Sequence, residues 1–245
     1  MLVLFTDFGW GGPYVGQMKA VLARIAPTVP VVDLMHDAPT WDPKAASYLL
    51  PQVITEFPSE CVVVGVVDPG VGSEQRPPIA MRADQRWYVG PGNGLFEMVR
   101  RRAVRAELWE IVWRPQRLSA SFHGRDLFAP IAAWIASGAL SPGMLRPHLA
   151  SAGLDWPDDL PEVIQFDRFG NAISGLRAGV VPVGARLFVR EIELRQARVF
   201  SEIPPGKAFF YENSMGLVEI AVNQGRAEDV LRLRRGDPVS VVLDA

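Results

Sequence analysis

Carboxylate, guanidinium and imidazole side chains gather in this sequence at short glycine-rich segments, and three of these segments could do chemistry on a bound ligand. In Asp68-Pro69-Gly70-Val71-Gly72, followed shortly by Arg76, a carboxylate lies near a guanidinium. In Phe122-His123-Gly124-Arg125-Asp126, an imidazole, the usual proton carrier near neutral pH, sits beside a glycine and charged neighbours. In Thr6-Asp7-Phe8-Gly9, Asp7 could accept hydrogen bonds from a ribose diol, while Gly9, Gly11 and Gly12 let backbone approach a ligand. Each segment also has a purely structural reading. Asp7 could cap a helix or hold a turn, Asp68 and Arg76 could form a salt bridge, and Asp126 could be a first-turn carboxylate paired with Arg125.

A second group lies further along the chain. Asp167-Arg168-Phe169-Gly170-Asn171 combines an aromatic face, an amide and a carboxylate, which a purine and an amine would need, although a turn also explains the glycine and asparagine. Ser214-Met215-Gly216 and Asn223-Gln224-Gly225 fit ordinary turns. Gly90-Pro91-Gly92-Asn93-Gly94 has neither a Walker lysine nor dinucleotide-fingerprint spacing. His36 and His148 lack comparable company and read as structural or surface residues. A metal site built from Asp7, Asp68 and His123 is conceivable, but no spacing demands one, so neither metal nor cofactor is expected.

These segments fall at the ends of predicted strands, where open α/β sheets bind ligands. Strands are predicted at Leu2–Phe5, Val31–Leu34, Cys61–Val67, Ile79–Arg82, Trp87–Val89 and near Leu108–Trp113, and helices at Tyr14–Ile25, Pro43–Leu50 and Asp126–Ser137. Cys61–Val67 is continuously apolar, as a buried central strand should be, and Cys61 reads as a small strand residue. The expectation is an α/β N-terminal domain, residues 1–145, with a mostly parallel central sheet. Residues 146–160, including Ser151-Ala152-Gly153, are dense in turn formers and read as a linker. Beyond it, Val163–Phe166, Ala172–Leu176, Arg186–Val189, Ala208–Tyr211, Leu217–Val222 and Val239–Leu243 suggest a smaller C-terminal β-barrel-like domain over 161–245.

Composition removes several classes. With 245 residues, 49% hydrophobic, and 25 basic against 27 acidic side chains, the chain is too apolar and too evenly charged to be disordered. A net charge of −2 supplies no general pull toward nucleic acid or anionic lipid. No apolar run approaches the ~18–20 residues that span a bilayer. A cytoplasmic enzyme with a small-molecule substrate is the expectation, with no nucleic-acid or membrane partner.

Taken in order, FTDFG, PYVGQMKA, DPGVGS with Arg76, GPGNGLF, FHGRDLFAP, DRFGN and NSMGLVEIAVN resemble the S-adenosyl-L-methionine hydroxide adenosyltransferase family, relatives of fluorinase and chlorinase, from about residue 2 to residue 230. The resemblance implies an N-terminal α/β domain, a C-terminal β-barrel-like domain and a homotrimer with active sites between subunits. It also implies attack of water or hydroxide on C5′ of S-adenosyl-L-methionine, giving adenosine and L-methionine. By motif position Asp68, Arg76 and His123 look like the catalytic trio, and Asp7 like the residue gripping the ribose hydroxyls. Trp41 falls at an aromatic pocket wall, Asn171 at an adenine contact with Phe169 beside it, and Asp167 and Ser214 at residues holding the methionine amine and carboxylate. Gly92 stands where relatives commonly carry Asp, and Met215 where some carry Arg. Two alternatives remain at this point: a halide adenosyltransferase, and a sensor that binds S-adenosyl-L-methionine or adenosine without turnover.

Overall fold

The computed structural model describes residues 1–73, 76–148, 153–182 and 184–242, so Ser151 and Ala152 of the expected linker and the strand end at Leu243 lie outside the described residues. The chain divides into two compact units, Met1–Asp155 and Trp156–Ala245.

The first unit runs β1 (Leu2–Thr6), α1 (Tyr14–Ile25), β2 (Val31–Met35), α2 (Pro43–Val53), β3 (Val62–Val66), β4 (Pro78–Ala83), β5 (Arg86–Pro91), α3 (Glu97–Arg102), β6 (Ala106–Ile111), α4 (Ala129–Ser137) and β7 (Leu145–Pro147). The strands form one sheet in the order β2-β1-β3-β5-β4-β6-β7. The expectation of a mostly parallel sheet is corrected here: β2, β1, β3 and β5 pair in parallel, but β5–β4, β4–β6 and β6–β7 are antiparallel, so the sheet is mixed. The reason is a hairpin. Only Asp84 and Gln85 separate β4 from β5, with Asp84 in the left-handed region at φ 53°, and a link so short joins antiparallel strands, because a parallel pair needs a crossover of about a dozen residues or more.

Helices cover both faces. α1 turns Val15, Met18, Val21 and Leu22 inward at helical spacing, and with α4 it packs on Leu2, Leu4, Val62 and Val64. On the other face α2 and α3 pack on Val3, Phe5, Val63 and Met81. Asp42 caps α2 by accepting from the Ala45 amide at 2.9 Å, with Pro43 following at the first helical position. The helix expected at Asp126–Ser137 is in two parts, a π-helical turn over Gly124–Phe128 that runs into α4. Such turns interrupt the 3.6-residue period and recur at functional sites. The helix α4 stops at Gly138, which takes φ 70°.

The second unit contains β8 (Leu160–Phe166), β9 (Ala172–Arg177), β10 (Arg186–Val189), β11 (Ile192–Gln196), β12 (Ala208–Glu212), β13 (Leu217–Val222), the short helix α5 (Ala227–Val230) and β14 (Val239–Val242). Its sheet order is β14-β10-β11-β12-β13-β9-β8, and a bridge between Glu162 and Pro238 brings the two ends of the sheet together, making it nearly a barrel. The β11–β12 pair is parallel and the others antiparallel. Val163, Leu187, Phe210, Val218 and Ile220 fill the interior.

Candidate functional site

In the first unit, four connections meet above the carboxyl ends of β1 and β3. Asp7, Trp41, Asp68 and His123 line one hollow of about 700 Å³. Asp7 follows β1 directly, and one of its carboxylate oxygens accepts the backbone amide of Trp41 at 3.0 Å. That bond ties the β1–α1 connection to the β2–α2 connection. Trp41 is 75% exposed and sits at φ 60°, an unfavourable conformation for a bulky side chain, which the neighbouring Asp42 cap and the Asp7 bond maintain. The Phe8, Tyr14 and Phe122 rings meet pairwise with centroids 5.3–5.8 Å apart, and all three line the same hollow.

Asp68 lies just past β3 with its side chain only 9% exposed. It accepts the Gly70 amide at 3.3 Å, and Arg76 Nη1 stands 3.8 Å from its Oδ1, an ion pair without a short hydrogen bond. Asn93, from the glycine-rich segment after β5, donates to the Val67 carbonyl at 2.8 Å and reaches Asp68 Oδ1 at 3.5 Å. The Gly90–Gly94 segment therefore supports the end of β3. Asp68, Arg76 and His123 together line an adjoining hollow of about 510 Å³. His123 immediately precedes the π-helical turn, and among the described residues none hydrogen-bonds its ring.

One close approach holds the His123 connection against the Asp68 connection, and a second set of bonds braces the His123 connection itself. Gly72 has φ +84°, and a Cβ there would stand 2.7 Å from the Ala120 carbonyl oxygen, so the two backbones approach as only glycine permits. Asp126 accepts the Ser119 amide at 2.8 Å while Arg125 grips it through Nε at 2.6 Å and Nη2 at 2.9 Å. The Arg125 hydrogen bond holds the Asp126 carboxyl below its ordinary range, against an opposing push from burial. Asp126 is thus a first-turn carboxylate paired with its neighbour, the structural reading its sequence allowed.

The second unit has a hollow of its own, about 860 Å³, lined among others by Asp167, Phe169, Asn171, Ser214 and Met215. Asp167 and Asn171 bond each other: Oδ1 accepts the Asn171 amide at 2.8 Å and Oδ2 accepts its Nδ2 at 2.9 Å. Phe169 is 74% exposed at the tip of this turn. The Ser214-Met215-Gly216 turn is shaped by Asn213, whose Oδ1 accepts the Met215 and Leu217 amides at 3.0 Å each. Glu219, buried within β13, accepts Asn213 Nδ2 at 2.8 Å and also the Tyr211 hydroxyl. Burial, then the hydrogen bond to Glu219 and the charge of that carboxylate, push the Tyr211 phenol well above its ordinary range.

Both units match a single family. A SAM hydroxide adenosyltransferase N-terminal domain model matches residues 2–145, and the C-terminal domain model of that family matches residues 161–240. The chain belongs to the SAM hydroxide adenosyltransferase family. It is 42% identical to an (R)-S-adenosyl-L-methionine hydrolase of Thermus thermophilus, with 97% of each chain covered. A fluorinase of Nocardia brasiliensis is a more distant relative, 23% identical over 69% of this chain and 61% of its own. The crystal structure of an uncharacterized conserved protein from Thermotoga maritima superposes with a TM-score of 0.88 at 30% identity, covering 99% of this chain and 100% of the other.

Within this SAM hydroxide adenosyltransferase, the candidate residues fall into two sets: Asp7, Trp41, Asp68, Arg76 and His123 on the first unit, and Asp167, Phe169, Asn171 and Ser214 on the second. Sequence reasoning missed the ring cluster, because Phe8, Tyr14 and Phe122 come from separate segments. It also missed Asn213, Tyr211 and Glu219, although a charged residue inside the apolar run Leu217–Val222 was a visible signal. The departure at Gly92 has a steric correlate: a Cβ there would lie 2.6 Å from the Pro77 carbonyl oxygen, so this backbone has closed over the space an Asp side chain needs. Among the described residues no group of three or more His, Cys, Asp or Glu could hold a metal ion, and no helix is long and apolar enough to cross a membrane.

Proposed function

We propose that this chain hydrolyses S-adenosyl-L-methionine to adenosine and L-methionine, with water or hydroxide attacking C5′. The observation that carries this reading is the placement of Asp68 and His123 in the same hollow as Asp7 and Trp41, in a chain of this family. The C5′–S bond breaks with its electron pair going to sulfur, which leaves as a neutral thioether and needs no general acid. The C5′–O bond forms to the incoming oxygen, and the proton of water passes to Asp68 or His123 and then to solvent. Water ionises with a pKa of about 15.7, so supplying hydroxide or removing a proton during attack is the demanding part. Arg76 stabilises negative charge on the attacking oxygen. Neither metal nor cofactor is needed for a reaction whose leaving group is already activated.

Asp7 grips the ribose hydroxyls and Trp41 walls the hollow. Alignment of nucleophile, C5′ and sulfur contributes up to ~7–11 kcal/mol, so the ribose grip matters as much as the trio. On the second unit, Asn171 and Phe169 take the adenine, while Asp167 and Ser214 hold the methionine amine and carboxylate. With Met215 rather than Arg in that turn, Ser214 carries more of the carboxylate grip. The family resemblance supports a homotrimer with active sites between subunits. A cytoplasmic location fits the single cysteine, Cys61, which is buried and free.

Asp68 also weighs against halide transfer, because a carboxylate at the point of attack repels an incoming anion. Incubating the pure protein with S-adenosyl-L-methionine, with and without fluoride or chloride, and identifying the nucleoside by mass tests the reading. Adenosine under every condition supports it. An excess of 5′-halo-5′-deoxyadenosine would replace it with halide transfer, and intact S-adenosyl-L-methionine after long incubation would replace it with a sensor.

A further inference from the structure

His36 is fully buried just past β2, and the chemistry described above does not use it. Its Nε2 stands 3.1 Å from Asp33 Oδ1, and its Nδ1 stands 2.8 Å from Thr6 Oγ1. The other Asp33 oxygen accepts Lys19 Nζ from α1 at 2.8 Å. Burial pushes the Asp33 carboxyl up, but the hydrogen bonds and charges of Lys19 and His36 outweigh it and hold the group below its ordinary range. An ionised Asp33 can only accept, so Nε2 carries a proton, and in the neutral ring Nδ1 accepts from the Thr6 hydroxyl. The Thr6 oxygen then turns a lone pair toward the Phe8 amide, 3.4 Å away.

This chain of bonds acts where the strand ladder gives out. The β1–β2 register shifts between Leu4 and Phe5, and the last paired residues are Phe5 and Met35. Beyond that point the turn carrying Asp7 is held to the His36 segment by Gly9 N donating to His36 O at 2.6 Å and Ala38 N donating to Thr6 O at 3.1 Å, with the His36–Thr6 side-chain bond between them. Trp10 covers the imidazole edge-on at 4.7 Å. Asp7 is thus flanked on one side by a residue that His36 bonds through its side chain and two positions on by one it bonds through its carbonyl.

We infer that His36 is a positioning residue that sets the Asp7 carboxylate for the ribose diol by way of Thr6. The inference rests on the reading of Asp7 as the ribose grip. It predicts a penalty that depends on the ribose hydroxyls, which a general loss of structure would not show. The test measures adenosine and 2′,3′-dideoxyadenosine affinities by calorimetry for wild type, Thr6→Val, His36→Ala and His36→Asn, alongside kcat and KM. Thr6→Val keeps the side-chain shape, so the test stands even where His36→Ala fails to fold. Thr6→Val and His36→Ala are expected to weaken adenosine binding about tenfold, the loss of roughly one well-placed hydrogen bond, and dideoxyadenosine binding less than about twofold. The same variants should lower kcat/KM chiefly through KM. His36→Asn, which can still accept from Thr6, should recover most of the adenosine affinity. Unchanged adenosine affinity in Thr6→Val, or an equal loss for both nucleosides, would overturn the inference and leave the Asp7 reading intact. Equal affinity of wild type for the two nucleosides would overturn the Asp7 reading itself, and the inference with it.

Discussion

The two hollows use polar groups in opposite ways. In the second unit most polar side chains are already committed to one another, Asp167 to Asn171 and Glu219 to both Tyr211 and Asn213. In the first unit the groups nearest the proposed chemistry are held loosely: Asp68 and Arg76 face each other at 3.8 Å, and no described residue hydrogen-bonds the His123 ring. A network of satisfied bonds fixes shape, because each member would be costly to leave unpaired. Groups that must exchange a proton or meet developing charge need capacity that internal bonds would consume. On the proposed reading the second hollow recognises the adenine and methionine ends, while the first grips the ribose through Asp7 and carries the reaction.

Substitutions can break that contrast, beginning with the largest effect. Asp68→Ala and His123→Ala are each expected to lower turnover ~100- to 10,000-fold, the span for removing acid–base help, while adenosine affinity by calorimetry stays within about twofold. Loss of affinity in step with turnover would mean that Asp68 and His123 hold the nucleoside rather than act on the attacking water. Gly72→Ala comes next. The left-handed φ and the 2.7 Å approach to Ala120 should cost about 1–3 kcal/mol in thermal unfolding, and turnover should fall as the Asp68 and His123 connections part.

Glu219→Gln probes the second hollow more gently. It keeps the size of the side chain and weakens the bonds to Tyr211 and Asn213, so KM for S-adenosyl-L-methionine should rise several-fold with kcat nearly unchanged. A fall in kcat without a change in KM would contradict a recognition role. The smallest effect is a matter of pH. The Asp126 carboxyl titrates lower in the folded state, so its contribution is complete above the ordinary carboxylate range, near pH 4, and fades as pH falls through the lowered value. Hydrogen exchange over residues 117–124 should therefore be faster in Asp126→Asn than in wild type at neutral pH, and the two should converge in acid.

What the sequence made visible divides along physical lines. The strand β3 is continuously apolar and α1 is cleanly periodic, so both could be read directly. Asp7 and Asp68 could be singled out because each follows a strand end in a glycine-rich stretch, and His123 because it stands just before a helix beside a glycine and charged neighbours. The mixed character of the sheet was hidden, because the β4–β5 hairpin turns on Asp84 and Gln85 and lacks the Asn-Gly or Asp-Gly pair that marks a two-residue turn. The helix α3 was hidden as well, since its tail is three successive arginines with little amphipathic signal. The π-helical turn follows no period a sequence displays, and the tie between Asp7 and Trp41 spans 34 positions through a backbone amide that leaves no trace in residue types.

The central claim, that the trio delivers activated solvent to C5′, is tested most directly by turnover of S-adenosyl-L-methionine in water enriched in heavy oxygen, with mass analysis of both products. The account predicts adenosine labelled at its 5′-hydroxyl and unlabelled L-methionine. Unlabelled adenosine, or a halogenated nucleoside formed in preference to it when chloride or fluoride is present, would contradict it.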